Sequence, residues 1–97
     1  MIRKQEITTF EFPDDAVIWD VRDAKSFAET HVKGAKNLPI GDLNNDSLAQ
    51  IATDQPIYIL CGGGSKAPRA AELLDSFDAS REYVILVGGT RAARDAG

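Results

Sequence analysis

Three short, continuous apolar runs constrain the fold of this chain more than any other feature of its sequence. They are Ala16 to Val21 (AVIWDV), Pro56 to Leu60 (PIYIL) and Tyr83 to Val87 (YVILV). Each is rich in β-branched or aromatic residues and continuous rather than alternating, which is typical of strands covered on both faces of a parallel sheet. Weaker strands are predicted at Ala35 to Leu38 and near Ile7 to Phe10.

Helical patterns fall between these runs. Asp23 is predicted to cap a helix over Ala24 to Thr30, and a second helix is predicted over Gly41 to Thr53. The clearest pattern is Lys66 to Phe77, where apolar residues recur at helical spacing, and a last short helix is predicted over Thr90 to Ala96. Strands that alternate with helices predict an α/β fold, in which ligands bind outside the carboxyl ends of the strands.

Composition narrows the classes of protein to which this chain can belong. Its 97 residues suit a single domain spanning residues 1–97, and its one cysteine cannot form an internal disulfide, which fits a reducing compartment. The formal net charge of −4 argues against a sequence-independent nucleic-acid binder, which needs a basic face. No apolar run suits a signal peptide or a membrane span, so we expect a cytoplasmic protein without membrane or nucleic-acid partners.

The single cysteine, Cys61, stands where the second apolar run gives way to three glycines and then to a helix. One interpretation is a small buried side chain followed by a tight turn. The other is an anion site, because amides of Gly62, Gly63 and Gly64 and the free N–H groups of the next helix can converge on one point. With Lys66 adding positive charge, we expect the pKa of the Cys61 thiol to fall below that of a free cysteine, about 8.5.

Three chemistries could use such a loop. The letters GGGSKA satisfy the dinucleotide fingerprint, but the next strand ends in Val87-Gly88-Gly89, with no acid to hold a ribose, so we reject it. A cysteine phosphatase of the C-x-x-x-x-x-R type would need arginine where Ala67 stands, and the loop looks too short to wrap a phosphate. Transfer of a sulfur atom fits best, because a persulfide needs only a compact cradle of amides.

Four short motifs are spread over nearly the whole chain. The first two are Asp20-Val21-Arg22 and Thr30-His31-Val32-Lys33-Gly34-Ala35, the latter followed by Asn37 and Pro39. The others are Cys61, Gly64, Lys66 and Ala67 in the loop, and Leu86-Val87-Gly88-Gly89 near the end. With these motifs in this order, the chain resembles the rhodanese-like domains, the thiosulfate:cyanide sulfurtransferase family.

The resemblance implies a three-layer α/β/α fold with a five-stranded, mostly parallel sheet, and a double-displacement mechanism. The Cys61 thiolate would take the outer sulfur from a small donor such as thiosulfate, and cyanide or a thiol would then remove it. A protein could also accept the sulfur, and no cofactor or metal is expected. The residues whose amides would hold the persulfide are Gly62, Gly63, Gly64, Ser65 and Lys66.

Some positions depart from the family pattern. Thr30 replaces a glycine, Ala93 stands where an aromatic residue is common, and Lys66 replaces the commoner arginine, giving a point charge instead of a planar fork. Gly63 and Ser26 lie where thiosulfate-using relatives often carry cations, which leaves the physiological donor open.

Other residues have structural interpretations, and other functions compete with sulfur transfer. We expect His31 to be a hydrogen-bonding structural residue, and Asp20 and Arg22 to form an ion pair or a helix cap at the sheet edge. Arg69, Arg91 and Arg94 are expected to be surface charges. The main alternative function is that of a sulfur carrier or protein-binding module of the same fold. A cysteine phosphatase or arsenate reductase is the third candidate function.

Overall fold

The computed structural model of the protein describes residues 1–6, 13, 15–60 and 66–87. Within these residues the chain forms five strands and three α-helices, and a single 3-10 turn, at Ile40–Asp42, precedes the second helix. In chain order the elements are β1 (Ile2–Glu6), β2 (Val17–Asp20), α1 (Ala24–Glu29), β3 (Lys36–Asn37), α2 (Asn45–Ala49), β4 (Ile57–Leu60), α3 (Lys66–Phe77) and β5 (Tyr83–Val87).

The strands form one sheet in the order β1-β5-β4-β2-β3, and every pairing between described strands is parallel. This arrangement confirms the predicted α/β fold, and β2, β4 and β5 confirm the strands predicted from the three apolar runs. The strand predicted near Ile7 to Phe10 lies outside the described residues. The first strand observed is Ile2–Glu6, an edge strand that was not predicted.

The sheet is buried on both faces, as the three-layer architecture requires. On one face, Trp19, Ile57 and Ile59 pack against α2 and α3. On the other, Ile18, Tyr58, Leu60, Val84 and Leu86 form a second cluster. Because β4 and β5 contribute to both clusters, their sequences are apolar at consecutive positions instead of alternating.

The predicted helices agree with the structure to different degrees. The helix predicted over Gly41 to Thr53 is shorter in the structure, where a 3-10 turn is followed by the five-residue α2. The α-helix begins at Asn45 because Asn44 and Ser47 form a reciprocal capping box. The helix predicted over Lys66 to Phe77 is confirmed over those residues as α3. The helix predicted over Thr90 to Ala96 lies outside the described residues.

Helix α1 begins as predicted, with Asp23 as its N-cap, but it ends at Glu29 and Thr30 is its C-cap. None of its residues is fully buried, and Phe27 is half-buried. Among the described residues, no helix combines the length and the apolar character that crossing a membrane would require.

Candidate functional site

The carboxyl edge of the sheet is where the sequence places the candidate site. Leu60 ends the central strand β4, is fully buried, and its carbonyl accepts a hydrogen bond from the Val21 amide at 3.0 Å. Lys66, the first residue of α3, is exposed. The last residue of β4 therefore lies in the core, and the next described residue, Lys66, lies at the surface.

Five of the six predicted site residues lie between these two points and outside the described residues. They are Cys61, Gly62, Gly63, Gly64 and Ser65. Their predicted roles stay predictions. The residues that flank this loop at the carboxyl edge are described, and they show the surroundings of the predicted site.

A buried ion pair rigidifies the edge next to this loop. The Asp20 carboxylate, at the end of β2, is fully buried, and the Arg22 side chain is only 12% exposed. The Arg22 guanidinium donates from Nε at 3.0 and 3.1 Å and from Nη2 at 2.8 Å, so both carboxylate oxygens are bonded. The Arg22 amide adds a bond of 3.1 Å to the same carboxylate. This two-pronged arrangement confirms the predicted ion pair and fixes the chain where it leaves β2.

The same arginine and one asparagine tie this strand end to its neighbours. Arg22 Nη2 also donates to the Thr30 carbonyl at 2.6 Å, which anchors the C-cap of α1. Asn37 donates from Nδ2 to the carbonyls of Asp20 and Arg22 at 3.1 and 2.9 Å, and the Leu38 amide bonds to the Asp20 carbonyl at 2.9 Å. The bridging role of Asn37 was not predicted from its sequence, where an asparagine shortly before a proline also suits a turn.

The starts of α1 and α3 lie at this same edge. Asp23 accepts a hydrogen bond from the Ser26 amide at 2.8 Å, as an N-cap does. Bonds from the Ser26 amide and side chain lower the pKa of the Asp23 carboxyl, and the positive charges of Lys66 and then Lys25 lower it further.

Comparison with known proteins identifies the family. A model of the rhodanese-like domain matches residues 8–96, which is nearly the whole chain. The chain belongs to the rhodanese-like domain family. Two of the family motifs have a structural role here. The Asp20-Val21-Arg22 motif contains the ion pair, and the motif that includes Asn37 provides the bridge, so together they hold the carboxyl edge of the sheet.

The rhodanese-like domain is similar to curated proteins over part of their length. It is 36% identical over 59 residues to the uncharacterized protein YqhL of Bacillus subtilis, covering 61% of this chain and 46% of that protein. It is 35% identical over 68 residues to the thiosulfate sulfurtransferase GlpE of Stutzerimonas stutzeri, covering 70% and 62%. The chain thus spans about half to three fifths of the curated relatives it matches.

A solved structure supports the same fold. The rhodanese-like domain superposes on an Anabaena protein, Alr3790, with a TM-score of 0.76 and 29% identity, covering 88% of this chain and 67% of that chain.

The single histidine of the rhodanese-like domain has a local partner. His31 Nδ1 lies 2.8 Å from the Phe27 carbonyl, and its ring stacks on the Phe27 ring with centroids 4.0 Å apart and an interplanar angle of 11°. A neutral imidazole that donates from Nδ1 satisfies this contact. The geometry agrees with the predicted hydrogen-bonding role of His31 just after the end of α1.

The described residues also line an open cavity of about 450 Å³. It lies between β2 and α2, with walls that include Val17, Leu38 and Ile51, and its lining contains none of the residues Asp20, Arg22 and Lys66. Within the described residues no group of three or more His, Cys, Asp or Glu side chains could hold a metal ion.

Proposed function

We propose that this rhodanese-like domain is a sulfurtransferase that moves a sulfane sulfur from a small donor to a thiophilic acceptor through a persulfide on Cys61. With thiosulfate as donor, the Cys61 thiolate attacks the outer sulfur, the sulfur–sulfur bond breaks, and sulfite leaves with the bonding electron pair. Cyanide then attacks the outer sulfur of the persulfide, which gives thiocyanate and restores the thiolate. Atoms and charge balance in both steps without a cofactor.

The observation that carries this proposal is the position of Leu60, the residue before Cys61, at the end of β4. Leu60 is fully buried and held to Val21, so the nucleophile that follows it would stand at the carboxyl end of the central strand. Ligands of parallel α/β sheets bind at such ends. The buried bonds of Asp20, Arg22 and Asn37 would keep this edge from shifting during the two displacements.

The charges around the loop support an anionic nucleophile and an anionic donor. Lys66 and Arg69 are both among the first four residues of α3, and that turn contains no acidic residue. Cations near a helix N-terminus are unfavourable for the helix itself, because they add to the positive end of the helix dipole. The same placement raises the positive potential beside Cys61, and a positive potential favours the thiolate over the thiol.

Intact-mass measurement tests the proposal directly. The protein is incubated with thiosulfate or with the persulfide of a small thiol, desalted, weighed, and then treated with cyanide. We expect a gain of one sulfur atom and its removal by cyanide. A Cys61→Ser variant should gain none, whereas a variant that still gains the sulfur would exclude Cys61 as the acceptor.

Turnover separates an enzyme from the alternative of a carrier or binding module. Repeated cycles of thiocyanate or thiol persulfide production support the sulfurtransferase. A single loading that small acceptors do not discharge would indicate a carrier that delivers its sulfur to a protein. No loading with any donor would exclude both the enzyme and the carrier and would favour a binding module.

A further inference from the structure

The open cavity of about 450 Å³ lies on the face of the sheet that α2 covers. Val17 and Trp19 of β2 belong to the core cluster on that face, and Lys36 of β3 is in register with Trp19. Residues in register on adjacent strands point to the same face of a sheet, so the Lys36 side chain lies on the α2 side. Because β3 is an edge strand, no described strand closes the cavity on that side.

The opposite wall of the cavity comes from α2 and the residues that end it. Asp46 and Gln50, the C-cap, are four residues apart, so they lie on the same side of the helix, and both line the cavity. Ile51 adds an apolar group to this wall, and Leu38 adds another from the side of β3. The cavity therefore has an apolar interior between a lysine on one wall and an aspartate on the other.

Three polar side chains of this cavity have no partner in the part of the chain that the structure describes. Lys36, Asp46 and Gln50 are exposed, and their side chains make no hydrogen bond or ion pair there. Asn44 and Ser47 also line the cavity, but they are bonded to each other in the capping box of α2. Lys36 and Asp46 thus carry opposite charges on facing walls without pairing with each other, so both charges are available to a ligand.

We propose that this cavity binds a small zwitterion with an apolar body, namely an apolar α-amino acid. Its carboxylate would lie near Lys36, its ammonium group near Asp46, and its side chain against Val17 and Ile51. The Gln50 amide both donates and accepts, so it can bond to either charged group. A few polar groups around a largely apolar cavity of roughly 300–1,000 Å³ are typical of small-molecule sites.

The charge pattern of the two walls is the reason for choosing a zwitterion. A ligand with a carboxylate alone would be attracted by Lys36 and repelled by Asp46, and an amine alone would meet the reverse, so a single charge gains little. A ligand with both charges gains from both walls. Because the two side chains are exposed, we expect each charge on the ligand to change the affinity only about two- to five-fold.

Three ligands that differ by one charged group test this pattern at neutral pH. They are L-phenylalanine, 3-phenylpropionate, which lacks the ammonium group, and 2-phenylethylamine, which lacks the carboxylate. Trp19 is the single tryptophan and lines the cavity, so its fluorescence reports binding. We expect L-phenylalanine to bind with a Kd on the order of 1 mM and the other two to bind about two- to five-fold more weakly. Equal Kd values for the three ligands, or no saturable binding of L-phenylalanine in equilibrium dialysis, would overturn the proposal.

Substitutions in the two walls assign each charge of the ligand to its partner. In Lys36→Gln the preference for L-phenylalanine over 2-phenylethylamine should disappear, and in Asp46→Asn so should the preference for L-phenylalanine over 3-phenylpropionate. The matched controls Lys25→Gln and Asp54→Asn make the same changes of net charge at exposed positions outside the cavity and should keep both preferences. Wall variants that keep both preferences would show that the ligand binds elsewhere.

This binding is separate from the proposed sulfur transfer and does not require the cysteine. Cys61→Ser should bind L-phenylalanine as tightly as the unmodified protein, whether or not the unmodified protein gains sulfur from a donor. A protein that gains sulfur but binds none of the three ligands would contradict the amino-acid site and leave the proposed function intact.

Discussion

At the scale of single residues, Tyr83 shows how burial changes the chemistry of a side chain. It is fully buried at the start of β5, and its hydroxyl lies 2.7 Å from the Asp78 carbonyl and 3.0 Å from the Leu74 carbonyl. Burial, together with the negative charge of Asp78, raises the pKa of Tyr83 from 10.0 to about 12, although Arg81 acts in the opposite direction. Folding thus favours the neutral phenol.

This pKa shift predicts a loss of stability in alkali. Between pH 10 and pH 12 the unfolded chain loses the Tyr83 proton while the folded protein keeps it, so the unfolded state binds fewer protons and the free energy of unfolding decreases with pH. The expected decrease from this residue is about 2–3 kcal/mol over that interval. Urea denaturation followed by Trp19 fluorescence at about pH 9 and about pH 11.5 measures it.

Tyr83→Phe is the control for the alkaline prediction. It should cost about 1 kcal/mol at neutral pH, because the hydroxyl bonds are lost, and it should show a shallower decline in alkali than the unmodified protein. Equal declines in the two proteins would mean that other groups, such as the lysines, account for the pH dependence.

Residue-level prediction from the sequence succeeded where a side chain acts on its own neighbours in the chain. Asp23 as an N-cap and the pairing of Asp20 with Arg22 are both local, and both are confirmed. Asn37 bonds to carbonyls of residues far from it in sequence, and only the pairing of β3 with β2 brings them together. No local pattern around Asn37 therefore indicates its bridging role.

At the scale of elements, one buried arginine connects α2 to the turn that leads from α3 into β5. Arg81 is 5% exposed and donates to the Leu48 carbonyl at 3.0 Å, the Ala52 carbonyl at 3.1 Å and the Asp78 carboxylate at 3.1 Å. The first two acceptors lie at and just after the end of α2, where helix carbonyls lack partners within the helix. The arginine therefore satisfies the end of this short helix and holds it against the sheet.

Replacing this arginine should loosen the contact between the elements. In Arg81→Lys the single ammonium cannot reproduce the planar set of donors, so the Leu48 and Ala52 carbonyls lose the bonds that they accept from the side chain. We expect a loss of about 2–4 kcal/mol in the free energy of unfolding, measured by urea denaturation. The matched control is Arg3→Lys, whose ion pair with Glu82 is exposed and should change stability by less than about 1 kcal/mol. Similar losses in both variants would contradict the structural role given to Arg81.

The elements that were predicted best from the sequence are those with a buried, regular pattern. Within the described residues, the predicted ranges of α3 and β5 match the observed ones, because their apolar positions follow a single period or a continuous run. Strand β1 was missed because four of its five residues are exposed and three are charged, and its pairing with β5 alone makes it a strand. The length of α2 was wrong because Leu43 fits the helical spacing but precedes the cap at Asn44 in an extended conformation.

At the scale of the whole molecule, stability is expected to decrease from the centre of the sheet to its edges. The central strands β4 and β5 contribute to both buried clusters, whereas β3 pairs through only two residues at one edge. Local openings of a fold involve segments with few buried contacts, and its core opens only when the whole domain unfolds. The candidate loop follows the end of the central strand β4, next to the end of β2 at Asp20.

Hydrogen exchange on the native protein tests this gradient. The Ile57 amide, bonded to the Glu82 carbonyl at 3.0 Å between central strands, should exchange only by global unfolding, and the Leu38 amide, bonded to Asp20 at the edge, by local opening. Ile59→Val removes one methylene from the fully buried centre and should cost about 1 kcal/mol. Exchange at Ile57 should then accelerate about five-fold while exchange at Leu38 stays the same. If both amides accelerate equally, the edge opens only with the whole domain, and the ion-paired edge beside Cys61 is as stable as the core.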